Sequence, residues 1–589
     1  MRARRGPGER FSLAPKRSEE HVVWEVDTLI DRHAAQPGGP MARITSIRIA
    51  NYRSIGPPVE IIWPANKPVV LLGQNNAGKS NVVKACELVL GNFWPGNHEP
   101  DDHEFFRRDR NNPIDILVRF SPTERLGARH AEIVWRYDSN LPESPYFKGR
   151  ATPGGFDAYI RGEDRDTCMC IVLEAERNLR YHLGYSSKWT YLSRLMHRFH
   201  RALANHETTK GQLEELFAGV KQRFGEIPEF GNFVQELKGQ LAGLISSMTH
   251  KLEVDFEAYN PVNFFHALRL QAAEGDQPRT LDEMGTGEQQ VLAMAFAYAY
   301  ARAFHEGVVL IVEEPEAHLH PLAQQWLAKR MNAMAADGLQ ILITTHSAAF
   351  VDMMNLDGLV LVRRVNGTTQ TTQIGREQLV ARCVAMGVLP ERITTGNILP
   401  FYAANATREI LEGLFAEVVV LVEGPTEALA LPIYLSKRNL DVAKTGIAII
   451  PVHGKGSLGK WWRLFVAYGV PCYVIFDNDG EDDPTGTKRR DALSALGIAD
   501  AQHAQYLAVN DWTIDANLAV FGTDFETILR QDFPNYAGLE AQAAQQGIDS
   551  KPFIARWVAE QMPINEAHVG WQRFTHLADR LRARLPAVG

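Results

Sequence analysis

Val69-Val70-Leu71-Leu72-Gly73-Gln74-Asn75-Asn76-Ala77-Gly78-Lys79-Ser80 is the stretch from which the fold is read. Its first four residues form an apolar run of strand length, and Asn81 to Leu90 follow with a helical pattern. Between them the spacing fits G-x-x-x-x-G-K-[ST], a glycine-rich turn whose backbone N–H groups point inward at the start of a helix. Such a turn adds the positive end of a helix dipole to a nest of donors and so takes a nucleoside triphosphate, read here as ATP. Gly73, Asn75, Asn76 and Gly78 shape the cradle. Lys79 is placed for the β- and γ-phosphates, and the Ser80 hydroxyl for one coordination position on Mg²⁺.

Upstream, the alternation Ile44-Thr45-Ser46-Ile47-Arg48-Ile49 predicts a strand, with Val59 to Trp63 as its antiparallel mate. Ile114 to Phe120 and Ala131 to Tyr137 predict further strands, and the Pro- and Gly-rich stretch Leu141 to Gly155 predicts a loop. Downstream, Leu281-Asp282-Glu283-Met284-Gly285-Thr286-Gly287-Glu288 is a glycine-rich helix start, with Gly285 and Gly287 as candidate γ-phosphate contacts. Val308 to Val312 is a buried strand running into Glu313 and Glu314. Glu313 stands where a carboxylate holds the Mg²⁺ shell, and Glu314 where a base polarises the attacking water. Gln340 to Thr345 is another buried strand and delivers His346 to the γ-phosphate. These three signals in this order after a P-loop resemble the ATPase heads of ABC-type proteins. That resemblance implies a site completed by a second copy, because the signature of one head meets the P-loop of another. The signature here has Gly285 where a serine is common, and the strand-end acid is Glu313 rather than Asp, which puts fast turnover in doubt but not binding.

The chain has 589 residues, 45% hydrophobic and 22% charged, and predicts a globular protein of two to four domains. A net charge of -8 excludes a globally basic nucleic-acid binder, so any such surface must be local. Five scattered cysteines without a C-x-x-C pair fit reduced thiols in a cytoplasmic protein, and no apolar run approaches the ~18 residues of a membrane helix. Met1 to Gly8 is basic without an apolar core and is not a secretory signal.

After a helical connector the chain starts again. Val418 to Val422 is a short apolar strand ending in Glu423, with Glu427 one helical turn later. Thr445 to Val452 leads to His453-Gly454-Lys455-Gly456, and Pro471 to Phe476 ends in Asp477-Asn478-Asp479. Strands alternating with helices predict a parallel sheet, whose ligand chemistry lies at the carboxyl ends of the strands. Glu423, Glu427, Asp477 and Asp479 on one rim make an all-oxygen donor set for Mg²⁺ or Mn²⁺, and their mutual repulsion is expected to require such cations.

Glu-Gly after one strand and Asp-x-Asp after a later one resemble the Toprim domain of topoisomerases, primases and nucleases. An ABC-type head followed by Toprim in one chain is similar to the OLD (overcoming lysogenization defect) nucleases, and most similar to the branch that includes the nuclease of the Gabija anti-phage system. The resemblance spans Ile44 to Met562. Read together with the residue patterns, the chain divides into 1–40, a disordered extension or an over-long start before the first strand; 41–173 and 276–400, the two parts of the ATPase head; 174–275, a helical insertion by its period that serves dimerisation; and 415–589, the Toprim domain with a C-terminal helical part. The resemblance adds Glu526 as a fifth metal ligand and Lys551 as a catalytic cation beside Glu423, Asp477 and Asp479. The expected activity is two-metal cleavage of DNA, regulated by ATP, in anti-phage defence or DNA processing. The expected assembly is a homodimer or a higher even-numbered oligomer, off the membrane, with a separately encoded helicase partner left open. A clamp ATPase of the SMC or recombination-mediator kind is the alternative, weakened by the absence of long heptad arms. A topoisomerase or primase lacks its tyrosine or zinc ribbon here.

Overall fold

The computed structural model describes residues 42–91, 93–174, 206–226, 307–317, 319–480 and 483–586, with short pieces between 203 and 299. The extension 1–40, most of the helical insertion and the signature glycines Gly285 and Gly287 lie outside the described residues.

The first sheet is antiparallel. β1 (Ile44–Ala50) lies between β2 (Val59–Ile62) and β4 (Ile114–Phe120), followed by β5 (Glu132–Tyr137), β6 (Tyr146–Arg150) and β7 (Asp157–Ala158). β6 corrects the expected loop over Leu141 to Gly155. Residues 146–150 pair with 132–136, Trp135 facing Phe147, although Gly149 sits in the strand. A Cβ at Gly149 would meet the buried His130 ring 2.3 Å away, so the glycine that suggests a loop is there for a close approach.

The second sheet carries the P-loop. β3 (Val69–Leu72) lies between β13 (Leu359–Val365) and β12 (Gln340–Thr345), then come β11 (Gly307–Glu313) and β8 (Cys168–Leu173), all parallel, with β14 (Thr368–Gln373) antiparallel at the β13 edge. A small hairpin, β9 (Ala272–Glu274) and β10 (Gln277–Arg279), stands apart. The third sheet has the order β16 (Ile447–Pro451), β15 (Val418–Val422), β17 (Cys472–Asp477), β19 (Leu518–Phe521), β18 (Trp512–Ile514). Only β18 runs antiparallel in it.

Parallel strands covered on both faces need apolar residues at every position, which is why β3 and β15 read as unbroken runs rather than alternations. Val69 and Leu71 face the core shared with the first sheet, whereas Val70 and Leu72 face the opposite side. That second side continues without a break through Leu379, Leu399 and Tyr402 of the connector into Leu421, Ile450 and Val520 of the third sheet. Polar links accompany it: the buried Arg463 guanidinium donates to Asp491 at 2.9 Å and to the Met386 carbonyl, and Arg363 pairs with Glu417 at 2.9 Å. The far face of the third sheet has its own aromatic core, with Tyr434 stacked 4.3 Å from Phe574. Among the described residues no helix is long and apolar enough to cross a membrane.

Candidate active site

Two polar rims lie at carboxyl ends of parallel strands. In the second sheet, the register Leu72 to Thr345 and Glu313 to Thr344 brings the ends of β3, β12 and β11 to one edge. The P-loop glycines are required by close approach: a Cβ on Gly73 would sit 2.2 Å from the Val362 carbonyl, and one on Gly78, at φ 107°, 2.1 Å from Thr369 Oγ1. Lys79 Nζ donates to the Gly73 and Gln74 carbonyls at 2.8 Å each and lies 3.3 Å from His346 Nδ1. Burial lowers its ammonium to about 8, against the pull of Glu314, Glu316 and Glu313. His346 Nε2 is 3.1 Å from Glu314 Oε1. Glu314 is held at φ 45° with its N–H on the Thr344 carbonyl, a left-handed conformation that is rare for glutamate and commonest where function demands it. Ser80 hydrogen-bonds Glu313, whose carboxyl is raised by burial. Asn76, at φ 64°, accepts from Arg364 at 2.9 Å, and Asn75 lines the mouth of the loop. Lys79, Ser80, Glu313, Glu314 and His346 are thus brought together.

Two residues at this rim were not read from the sequence. Glu316 accepts the His346 N–H at 2.6 Å. Gln74 donates from Nε2 to the Phe415 carbonyl at 2.9 Å, three residues before β15 begins, so the P-loop touches the root of the third sheet. Gln74 is an unspecified position of the motif, and nothing local marks it.

The second rim belongs to the third sheet. β15 delivers Glu423, β17 delivers Asp477, and the turn after β19 delivers Glu526. Four helices begin there: Pro425–Ser436, Lys455–Ala467, Phe525–Asp532 and Lys551–Gln561. Their dipoles add positive potential to the rim. Glu423 accepts the Asp477 N–H at 2.6 Å, Asp477 Oδ2 accepts the Phe525 N–H at 3.4 Å, and Glu427 turns back to the Gly424 N–H at 3.2 Å. Asn478 points the other way. Its amide donates to the carbonyls of Tyr506, Leu507 and Val509, which turns Asp477 and Asp479 toward the rim.

The expectation that these acids lack any compensation but metal is corrected. Lys455, buried at the start of its helix, stands 2.5 Å from Asp479 and 3.3 Å from Glu423, and Lys551 stands 3.2 Å from Glu526. Burial works to lower Lys455, but its bonds to Asp479 and Glu423 carry it above an ordinary lysine. In sequence it is one lysine in a glycine turn, indistinguishable from surface charge. The five carboxylates are therefore arranged around two ammonium groups, and among the described residues no three acid, histidine or cysteine side chains form a ready-made cage.

Burial away from water shows in the acids themselves. Burial pushes Glu423 up to about 7 despite Lys455. Burial also raises Glu427, Asp477 and Glu526, with neighbouring acids adding to the first two. Asp477 Oδ1 and Glu526 Oε1 are buried without a hydrogen-bond partner. Unpartnered carboxylate oxygens in a hard, all-oxygen set fit a divalent cation such as Mg²⁺ or Mn²⁺.

Fold and rims together define an ABC-type ATPase head joined to a Toprim domain. A family model described as "Overcoming lysogenization defect protein-like, TOPRIM domain" matches residues 414–479, and one described as "AAA domain, putative AbiEii toxin, Type IV TA system" matches 174–352. The chain is 26% identical over 448 residues to the OLD nuclease of Thermus scotoductus, covering 74% of this chain and 81% of that one. It is 22% identical over 509 residues to the Old nuclease of Escherichia phage P2, covering 77% and 80%. With the endonuclease GajA of Bacillus cereus it shares 24% identity over 209 residues, 33% of this chain and 29% of that one. The chain is thus similar to nucleases of the OLD type, and over part of its length to the endonuclease GajA.

Proposed function

We propose that this chain is a divalent-metal-dependent DNA endonuclease regulated by ATP bound to its head. The observation that carries the reading is the convergence of the half-buried Glu423 with the buried Glu427, Asp477 and Glu526 at one rim, raised in pKa and with two carboxylate oxygens unpartnered. The relatives named as nucleases support it. Glu423, Glu427, Asp477, Asp479 and Glu526 would hold two divalent ions. When bound there, such ions supply Lewis-acid activation of water and stabilise the leaving 3′-oxygen of a phosphodiester.

The chain's own groups do the rest. Lys455 holds Glu423 and Asp479 in place while it offsets their charge. Lys551, on an exposed stem, can move from Glu526 onto a phosphoryl oxygen and stabilise charge that develops there. At the head, Lys79 would exchange the Gly73 and Gln74 carbonyls for phosphate oxygens, Ser80 and Glu313 would hold Mg²⁺, and Glu314, backed by His346, would orient the attacking water. A site of this kind is completed by Gly285 and Gly287 of a second copy, so the working unit is a homodimer or a larger even-numbered assembly. Its proposed setting is the cytoplasm, in anti-phage defence or DNA processing, with a separately encoded helicase partner left open.

The direct test is supercoiled plasmid incubated with pure protein and Mg²⁺ or Mn²⁺, with and without ATP. Metal-dependent nicking or linearisation that EDTA stops supports the reading, and intact plasmid under every metal and nucleotide condition replaces it with a clamp ATPase.

A further inference from the structure

Beside the acid rim the molecule has a cavity of about 440 Å³, a size within the ~300–1,000 Å³ of small-molecule sites. One end is the rim itself, with Asp479, Glu526 and Lys551. The other end plays no part in holding metal. There Arg530 grips Glu540 through two hydrogen bonds of 2.8 Å, so the pair presents a flat, neutral surface of donors and acceptor oxygens. Ile554 and Ala555 supply apolar wall. Tyr536 is fully buried yet lines the cavity, and its hydroxyl has no hydrogen-bond partner. A buried hydroxyl left unpaired is costly and rare in folded proteins.

The chemistry of this end selects among ligands. Asp524 and Asp549 also line the cavity, so beyond the Arg530–Glu540 pair its charge is negative and a second phosphate is disfavoured. A flat neutral group that both donates and accepts hydrogen bonds and has an apolar face suits it. We infer that this end is a nucleobase pocket, which holds the base of the nucleotide next to the scissile phosphate, with Tyr536 and the Arg530–Glu540 pair reading its edge. The inference rests on the nuclease reading, because the rim supplies the phosphate that brings the base alongside. Seating a base there from a duplex requires its extrusion from the stack, which a mismatched or single-stranded base does most easily.

The experiment uses the full chain. Its cut is first mapped with Mg²⁺, and then duplexes with one abasic residue, walked through the positions flanking that cut, are titrated with Ca²⁺ replacing Mg²⁺. The wild type is expected to bind the intact duplex about tenfold more tightly than the duplex abasic at one particular position, the range for one hydrogen-bonded base-edge contact. Tyr536→Phe, which keeps the buried ring, and Arg530→Ala are expected to bind both duplexes alike. Equal binding of intact and abasic duplexes by the wild type, or discrimination retained in both variants, overturns the pocket and leaves the nuclease intact. Failure of the wild type to cut or bind any DNA overturns the nuclease reading and the pocket with it.

Discussion

The two rims solve opposite electrostatic problems with the same piece of architecture. Both sit at carboxyl ends of parallel strands where helices begin, yet one must receive an anion and the other a cation. At the P-loop the work is done by backbone: N–H groups of a glycine turn, with a single lysine parked on two carbonyls and glycines forced by contacts of 2.1 and 2.2 Å. At the acid rim it is done by side chains drawn from the ends of three strands spread over about a hundred residues, held in place by two lysines. A backbone device is compact and tolerates little change within the loop. A side-chain device can be dismantled one residue at a time without touching the fold.

The largest expected effect separates the two rims. Asp477→Asn and Glu423→Gln should each lower DNA cutting by about 10³-fold, the rate equivalent of several kcal/mol of lost transition-state stabilisation, while ATP affinity stays within error of wild type. Cutting assayed on plasmid and ATP binding measured by calorimetry decide it, and equal loss of both would merge the rims into one site. The reciprocal pair comes next. Lys79→Ala should abolish ATP binding, and Glu314→Gln should bind ATP but turn it over about 10²-fold more slowly, as expected for loss of a general base. Normal turnover in Glu314→Gln would move the base elsewhere.

A subtler difference lies in pH. Glu423 is raised to about 7, so the folded protein holds a proton that the unfolded chain releases near the ordinary glutamate value. Its contribution to stability is present below that ordinary value and is lost as pH rises toward 7, and the raised Glu427, Asp477 and Glu526 act in the same direction. A divalent cation removes this penalty. Mn²⁺ should therefore raise the melting temperature by a few degrees at about pH 8 and by less at about pH 6, where it must displace protons. A shift that grows on acidification would sink the assignment of these acids as ligands. The smallest effect tests the contact between the rims. Gln74→Ala should leave ATP binding intact and change the ratio of cutting rates with and without ATP by about two- to tenfold, the worth of one hydrogen bond. An unchanged ratio would show that the heads signal by another route.

The same contrast explains how far the sequence could be read. Backbone devices leave local signatures, so the P-loop, the strand running into Glu313 and Glu314, and the strand ending at His346 are legible within a dozen residues each. Glu423 with Glu427, and Asp477 with Asp479, are legible because each pair is local, and the structure brings both pairs to one rim. Lys455, Glu316 and Gln74 were hidden because their roles depend on partners in other strands: Lys455 reaches residues 24 and 32 positions away, Gln74 a carbonyl 341 positions away. β6 was misread because Pro145 and Gly149 are loop formers locally, and only pairing with β5 and the approach of His130 override that preference. The Tyr536 hydroxyl leaves no sequence trace at all, since an unpaired donor is a property of its surroundings.

The unbroken apolar layer from Val70 to Val520 has a bearing on folding itself. Modules joined through small polar interfaces melt separately and can be clipped apart, whereas a shared hydrophobic interior couples their unfolding. Head and Toprim sheets here should denature in one calorimetric transition, and limited proteolysis between Phe415 and Val418 should yield no stable C-terminal fragment. Mutations such as Leu421→Ala, in the third sheet, would then weaken the ATPase by lowering the stability of the whole. The enzyme's two activities share a single reservoir of stability, and a lineage that loses one cannot simply discard the half of the chain that carried it.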